Sequence, residues 1–161
     1  QYIHSKIRSK SVGLSLVIYH LNCLIRMQYK AILPLPTFKK GRGEKKRDIL
    51  VSLNNFFPMH FIAKNNTKQA YHGVVKEWAE SLPRFKTLKV YYTIYFKGNR
   101  KKDLDNYTFP MHKFLMDALV ESGVVEDDHY LYVTDIHTKF GGIKDDNYAV
   151  VELKGELDDT E

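Results

Sequence analysis

Cys23 is the only cysteine among 161 residues. Its isolation excludes an intrachain disulfide and a multi-cysteine zinc site, and fits a reducing compartment, so the expected location is the cytoplasm. The histidines do not fill the gap, because none falls in a His-Glu-x-x-His spacing. Long apolar runs are missing too. Val12 to Ile25 follows basic Lys6, Arg8 and Lys10 in the manner of a signal peptide. However, His20 and Asn22 interrupt it, it is short for a membrane span, and Arg26-Met27-Gln28 follows it in place of small residues. No membrane partner is expected. Met27 is a natural start for the functional domain, which leaves residues 1–26 as an extension.

Acid is scarce in the first part of the chain. Residues 1–102 carry 21 Lys/Arg against 4 Asp/Glu, a net +17, whereas residues 103–161 carry 4 against 15, a net −11. A basic region that can face phosphates beside an acidic one that can gather divalent cations suits a metal-dependent nuclease, and two solvated surfaces are the plain alternative.

What is present reads as one mixed α/β (α+β) domain, since the length suits a single core, 43% of residues are hydrophobic, and no repeat is apparent. A short first strand is expected over Gln28–Leu35. A flexible basic loop follows from Lys39 to Arg47, in which Lys39, Lys40 and Arg42 could grip DNA phosphates. Asn54, Asn55 and Pro58 suggest an irregular connection. Thr67–Leu82 has helical periodicity through Ala70, Val74, Val75 and Trp78, with Pro83 ending it. Trp78 there reads as core before it reads as a base-stacking platform.

Leu88–Phe96 is the strongest strand, dense in β-branched and aromatic residues. Lys97, Arg100, Lys101 and Lys102 make a second basic loop and a second candidate DNA contact, directly before Asp103-Leu104-Asp105-Asn106. The next helix takes Pro110 in its first turn, turns Phe114, Leu115, Ala118 and Leu119 to the core, and ends at Gly123. A strand over Tyr130–Lys139, a turn at Gly141-Gly142, a strand over Tyr148–Leu153 and a frayed acidic tail from Gly155 complete the chain.

Asp103 and Asp105 are two apart, so on an extended backbone they project to one side and can share a metal. Hard oxygen ligands favour Mg²⁺, with Mn²⁺ a substitute. A calcium loop counted from Asp103 fails, because Thr108 stands where its glycine belongs and Phe114 where its bidentate Glu belongs. Of adjacent Asp127 and Asp128, one is expected to reach the metal. Lys113 and Asp117 share a helix face, either as an exposed ion pair or with the Lys113 ammonium beside a scissile phosphate. His112, His129, Tyr107 and Tyr130 flank these positions and read first as structural.

Together, Asp103-Leu104-Asp105-Asn106, then Lys113 and Asp117-Ala118-Leu119, then Gly123 and Asp127-Asp128, resemble the signature of the RusA family of Holliday junction resolvases. The resemblance spans roughly residues 27–154. It implies a small mixed β-sheet with two main helices packed against it, and a homodimer that binds Mg²⁺ and nicks two strands of a four-way DNA junction symmetrically. By position it makes Asp103, Asp105 and Asp128 the metal ligands and catalytic carboxylates, with Lys113 the catalytic lysine and Asp127 a less critical neighbour. The sequence departs from the family in one respect. Asp105 to Asp117 is four residues longer than the family spacing, so the family lysine falls on Phe109 counted from Asp105 and on Lys113 counted back from Asp117. An inserted helical turn would reconcile the two. Two further readings stay open: a catalytically inactive module that binds branched DNA, and a nuclease of this fold acting on forks or flaps.

Overall fold

A computed structural model describes residues 29–158, and from Ala31 on the described residues form one compact unit. The reading of residues 1–26 as an extension lies outside the described residues. The fold is mixed α and β: a four-stranded sheet, a two-stranded hairpin and three helices. The elements run β1 (Lys30–Pro34), β2 (Thr37–Lys40), β3 (Arg47–Leu50), α1 (Leu53–Phe56), α2 (Phe61–Glu80), β4 (Phe85–Lys97), α3 (Leu104–Glu121), β5 (Val133–Lys144) and β6 (Tyr148–Leu157).

The sheet order is β1-β6-β4-β5. β4 takes the centre because its alternation suits burial on one face: Leu88, Val90, Tyr92, Ile94 and Phe96 are each at most 3% exposed, while Lys89, Tyr91, Thr93 and Tyr95 turn to the other face. β4 and β5 run parallel, which requires a crossover, and α3 provides it. β6 returns antiparallel on the opposite side of β4.

On α3 the expected core residues Phe114, Leu115, Ala118 and Leu119 are all buried. Full burial of side chains such as Phe114 and Leu119 stabilises the fold by about 1.5–3 kcal/mol each. Tyr107 packs edge-on against Phe96, which holds the front of the helix to β4. No helix among the described residues is long and apolar enough to cross a membrane.

Several local expectations are corrected. The second helix starts at Phe61, six residues before Thr67, and its buried stripe is Thr67, Tyr71, Val75 and Ala79 with His72. Of the predicted stripe Val75 is buried, whereas Ala70 is exposed, Val74 is 49% exposed and Trp78 only half-buried, because Tyr71 packs against Phe114 of α3 and sets the buried face. Pro110 is the seventh residue of α3, beyond its first turn, so Asn106 receives no backbone hydrogen bond from that position. Lys39–Arg47 is the end of the β2–β3 hairpin, with Lys39 opposite Asp48 and bonded to it at 2.8 Å.

Gly141 lies inside β5, where a turn was expected. The β4–β5 register skips a residue there, and a side chain at Gly141 would collide with the Tyr95 ring. Gly155 likewise belongs to β6, and the expected tail up to Leu157 is strand. β6 approaches β4 so closely that a Cβ at Gly155 would run into the Thr87 carbonyl.

Candidate active site

Asp103 is the residue before the first turn of α3, with φ −82° and ψ 130°. A carboxylate there ordinarily accepts a backbone N–H of that turn. Asp103 makes no such bond; its Oδ2 accepts instead from the Asn106 side chain at 3.1 Å. The extended backbone expected across the pair ends at Asp103, and Asp105 is already helical. Alternation along a strand therefore does not align the two carboxylates. Asn106 links them, because its own N–H donates to Asp105 Oδ1 at 2.9 Å. Both carboxylates are exposed, and neither enters an ion pair among the described residues.

Lys113 and Asp128 lie farther along. The Lys113 ammonium is 2.7 Å from Asp128 and 3.2 Å from Asp117, so the expected pair with Asp117 forms and a second partner joins it. Asp117 also holds Lys68 of α2 at 3.0 Å, Lys68 reaches Glu121 at 3.5 Å, and Glu121 lies 2.7 Å from His72 Nδ1. A chain of alternating charge thus links Asp128 to His72 and ties α3 to α2. The hydrogen bond from Lys113 holds the Asp128 carboxyl below its ordinary range, and the same bond raises Lys113. Asp127 Oδ1 accepts the Asp128 N–H, and its Oδ2 lies 3.9 Å from His129 Nε2.

Asp105 and Lys113 share a helix face, as the inserted-turn argument requires, but two turns separate them, about 12 Å of axial rise. Phe109 fills the turn between, 45% exposed. Consequently Asp128 sits with Lys113 and not with Asp103 and Asp105, and among the described residues no three His, Cys, Asp or Glu side chains gather closely enough to hold a metal. Two carboxylates remain a fitting set for Mg²⁺, which commonly takes one or two and completes its octahedron with water and phosphate oxygens. The donors at Asp103 and Asp105 are all hard oxygens, and the Asp103 carboxylate is not spent on the helix backbone.

No protein-family model matches this chain, and no curated protein does.

The basic and acidic parts do not form separate surfaces. Packing β4 between β5 and β6 pairs Lys89 with Asp135, Lys86 with Glu156 and Lys97 with Asp146, while Arg84 meets Glu126 and Asp158. Among the described residues the cations without an ion pair include Lys40 and Arg42 at the hairpin, and Arg100, Lys101 and Lys102 just before Asp103. Lys102 is turned back onto the carbonyls of Lys97 and Arg100.

His112 is structural, as expected. Its Nδ1 shares a 2.8 Å hydrogen bond with the buried Tyr92 hydroxyl, and burial pushes its pKa down to about 4, so it is neutral near pH 7. Sequence reasoning missed Lys68, His72, Glu121 and Tyr92. Only Glu121 left a signal, four residues after Asp117 on the same helix face; the others join through tertiary contact.

Proposed function

We propose that this chain is a Mg²⁺-dependent endonuclease of the RusA type that cuts branched DNA, four-way junctions foremost, as a homodimer in the cytoplasm of a bacterium or phage host. One observation carries the reading. Among the described residues Asp103 and Asp105, joined through Asn106, pair with no cation, and Arg100 and Lys101, which pair with no carboxylate, stand just before them in the chain. Anionic oxygens without counter-charge beside uncompensated cations suit a metal ion and a phosphate backbone arriving together.

In this reading Asp103 and Asp105 hold the metal through their unbonded oxygens, and Asn106 fixes their spacing. Arg100 and Lys101, with Lys40 and Arg42 of the hairpin, bind and orient the phosphates. When bound, Mg²⁺ supplies polarisation of a phosphoryl oxygen and a water of lowered pKa. Lys113 and Asp128 stand about two helical turns away, so they enter the reaction only if the Lys113–Asp128 pair opens toward the DNA.

That separation favours a second reading, a module of the same fold that binds branched DNA without cutting it. Cleavage of a labelled four-way junction, with linear and forked duplex controls, in Mg²⁺ and in EDTA separates the two. The expected result is paired Mg²⁺-dependent nicks on the junction. Equal cutting of forks would broaden the substrate to other branched DNA, and tight binding without cutting in any metal would leave the binding module.

A further inference from the structure

β5 ends the four-stranded sheet and is twelve residues long, and no described strand pairs with its outer edge. Its register with β4 sets Ile136 beside Val90, Phe140 beside Ile94 and Ile143 beside Phe96. Those three β4 residues are core, at most 3% exposed, whereas Ile136, Phe140 and Ile143 are 52%, 53% and 46% exposed. The apolar face of the sheet therefore runs out past its helical cover onto an open edge. Soluble proteins blunt such edges with proline, with charge on the buried side or with shortness. β5 carries Lys139, Lys144 and bulges at Thr134 and Gly141, but it has no proline, and Ile136, Thr138, Phe140 and Ile143 on that side are uncharged.

We propose that this edge pairs antiparallel with the same edge of a second copy of the chain, across a two-fold axis through His137, making one eight-stranded sheet. Bulges at Thr134 and Gly141 bound a regular stretch from Asp135 to Phe140, and pairing must fit inside it. The axis through His137 sets Asp135 opposite the partner's Lys139, and the reverse, giving two complementary charge pairs. An axis one residue on, through Thr138, would instead set Lys139 opposite the partner's His137 and waste both charges. Asp135 holds Lys89 at 2.7 Å through Oδ2, while Oδ1 meets only His137, at 3.9 Å, and is open to a further cation. The inference rests on the homodimer of the proposed function and gives it an interface. A monomer would sink both, a dimer indifferent to the β5 edge would sink this interface alone, and a failure of cleavage would leave the interface standing.

Sedimentation of the full chain reads the assembly without reference to cleavage. The expected result is a dimer whose dissociation constant rises at least about tenfold in Ile136→Lys, which sets a charge on the apolar side of the pairing edge. In a Cys23→Ser background, His137→Cys should cross-link two chains on mild oxidation, because that position faces its own copy. Lys139→Cys should not cross-link, since on an extended strand it stands roughly 13 Å from its counterpart. A monomer at all concentrations, with β5 amides protected from hydrogen exchange by the chain's own remaining residues, overturns the proposal. So does a dimer indifferent to Ile136→Lys, and cross-linking through Thr138→Cys in place of His137→Cys overturns the register.

Discussion

The two ends of the acidic constellation on and beside α3 treat charge in opposite ways. At the start of the helix, Asp103 and Asp105 have a neutral partner, Asn106, and no cation among the described residues. Two turns on, Asp117 and Asp128 share the Lys113 ammonium, and Asp117 has Lys68 as well. A carboxylate held by ammonium groups is already compensated, and a metal would have to displace them; a carboxylate held by an amide keeps its full charge for a metal to answer. The first pair is therefore suited to chemistry and the second to tying helices together, although the motif names members of both.

Substitutions can break or sharpen this contrast. The largest effect is expected from Asp105→Asn, which should lower Mg²⁺-dependent cleavage by at least the order of 100-fold while junction binding and unfolding free energy stay unchanged. Undiminished cleavage would remove the proposed metal site.

Next comes pH. His112 has a folded pKa of about 4 against an ordinary 6.5, so the unfolded chain takes up the proton first. The stability this contributes is full above pH 6.5 and is lost as pH falls toward 4, an amount of at most about 3 kcal/mol. Denaturant titrations at several pH values should show that loss, and His112→Gln should abolish that part of it.

Asp128→Asn is expected to cost about 1 kcal/mol or less, because both Lys113 and Asp128 are partly exposed. The Asp128 pair contributes above the ordinary carboxylate range and is lost as pH falls through the depressed value of its carboxyl, so the cost should vanish in acid. If this variant also lost as much cleavage as Asp105→Asn, the contrast between the two ends would be wrong. The smallest effects belong to Arg100→Ala and Lys101→Ala. Each should lower the salt dependence of DNA affinity by about one counterion, with no change in stability, since neither forms an ion pair among the described residues.

Much of the fold was legible in local pattern. The central strand, the core face of α3 and the helix end near Gly123 follow from β-branched density, helical periodicity and a glycine at a positive φ of 72°. The glycines at 141 and 155 misled, because a glycine demanded by a close neighbour looks in sequence like one demanded by a turn. The α2 stripe was displaced for a related reason: Tyr71 is buried against Phe114 of α3, a preference that residue type alone does not carry.

The candidate site divides in the same way. The sequence by itself determined which side chains are available: Asp103 and Asp105 two residues apart after a cationic loop, and Lys113 four residues before Asp117. Such facts depend on separations of a few residues, which secondary structure converts directly into distance. Tertiary structure alone decided which charges meet. It joined Lys113 to Asp128 across fifteen residues and Lys68 to Asp117 across two helices, and it set Lys89 and Lys86 of β4 against Asp135 of β5 and Glu156 of β6. Net charge along the chain carries no record of such pairing, because strand order brings together residues that the chain holds far apart.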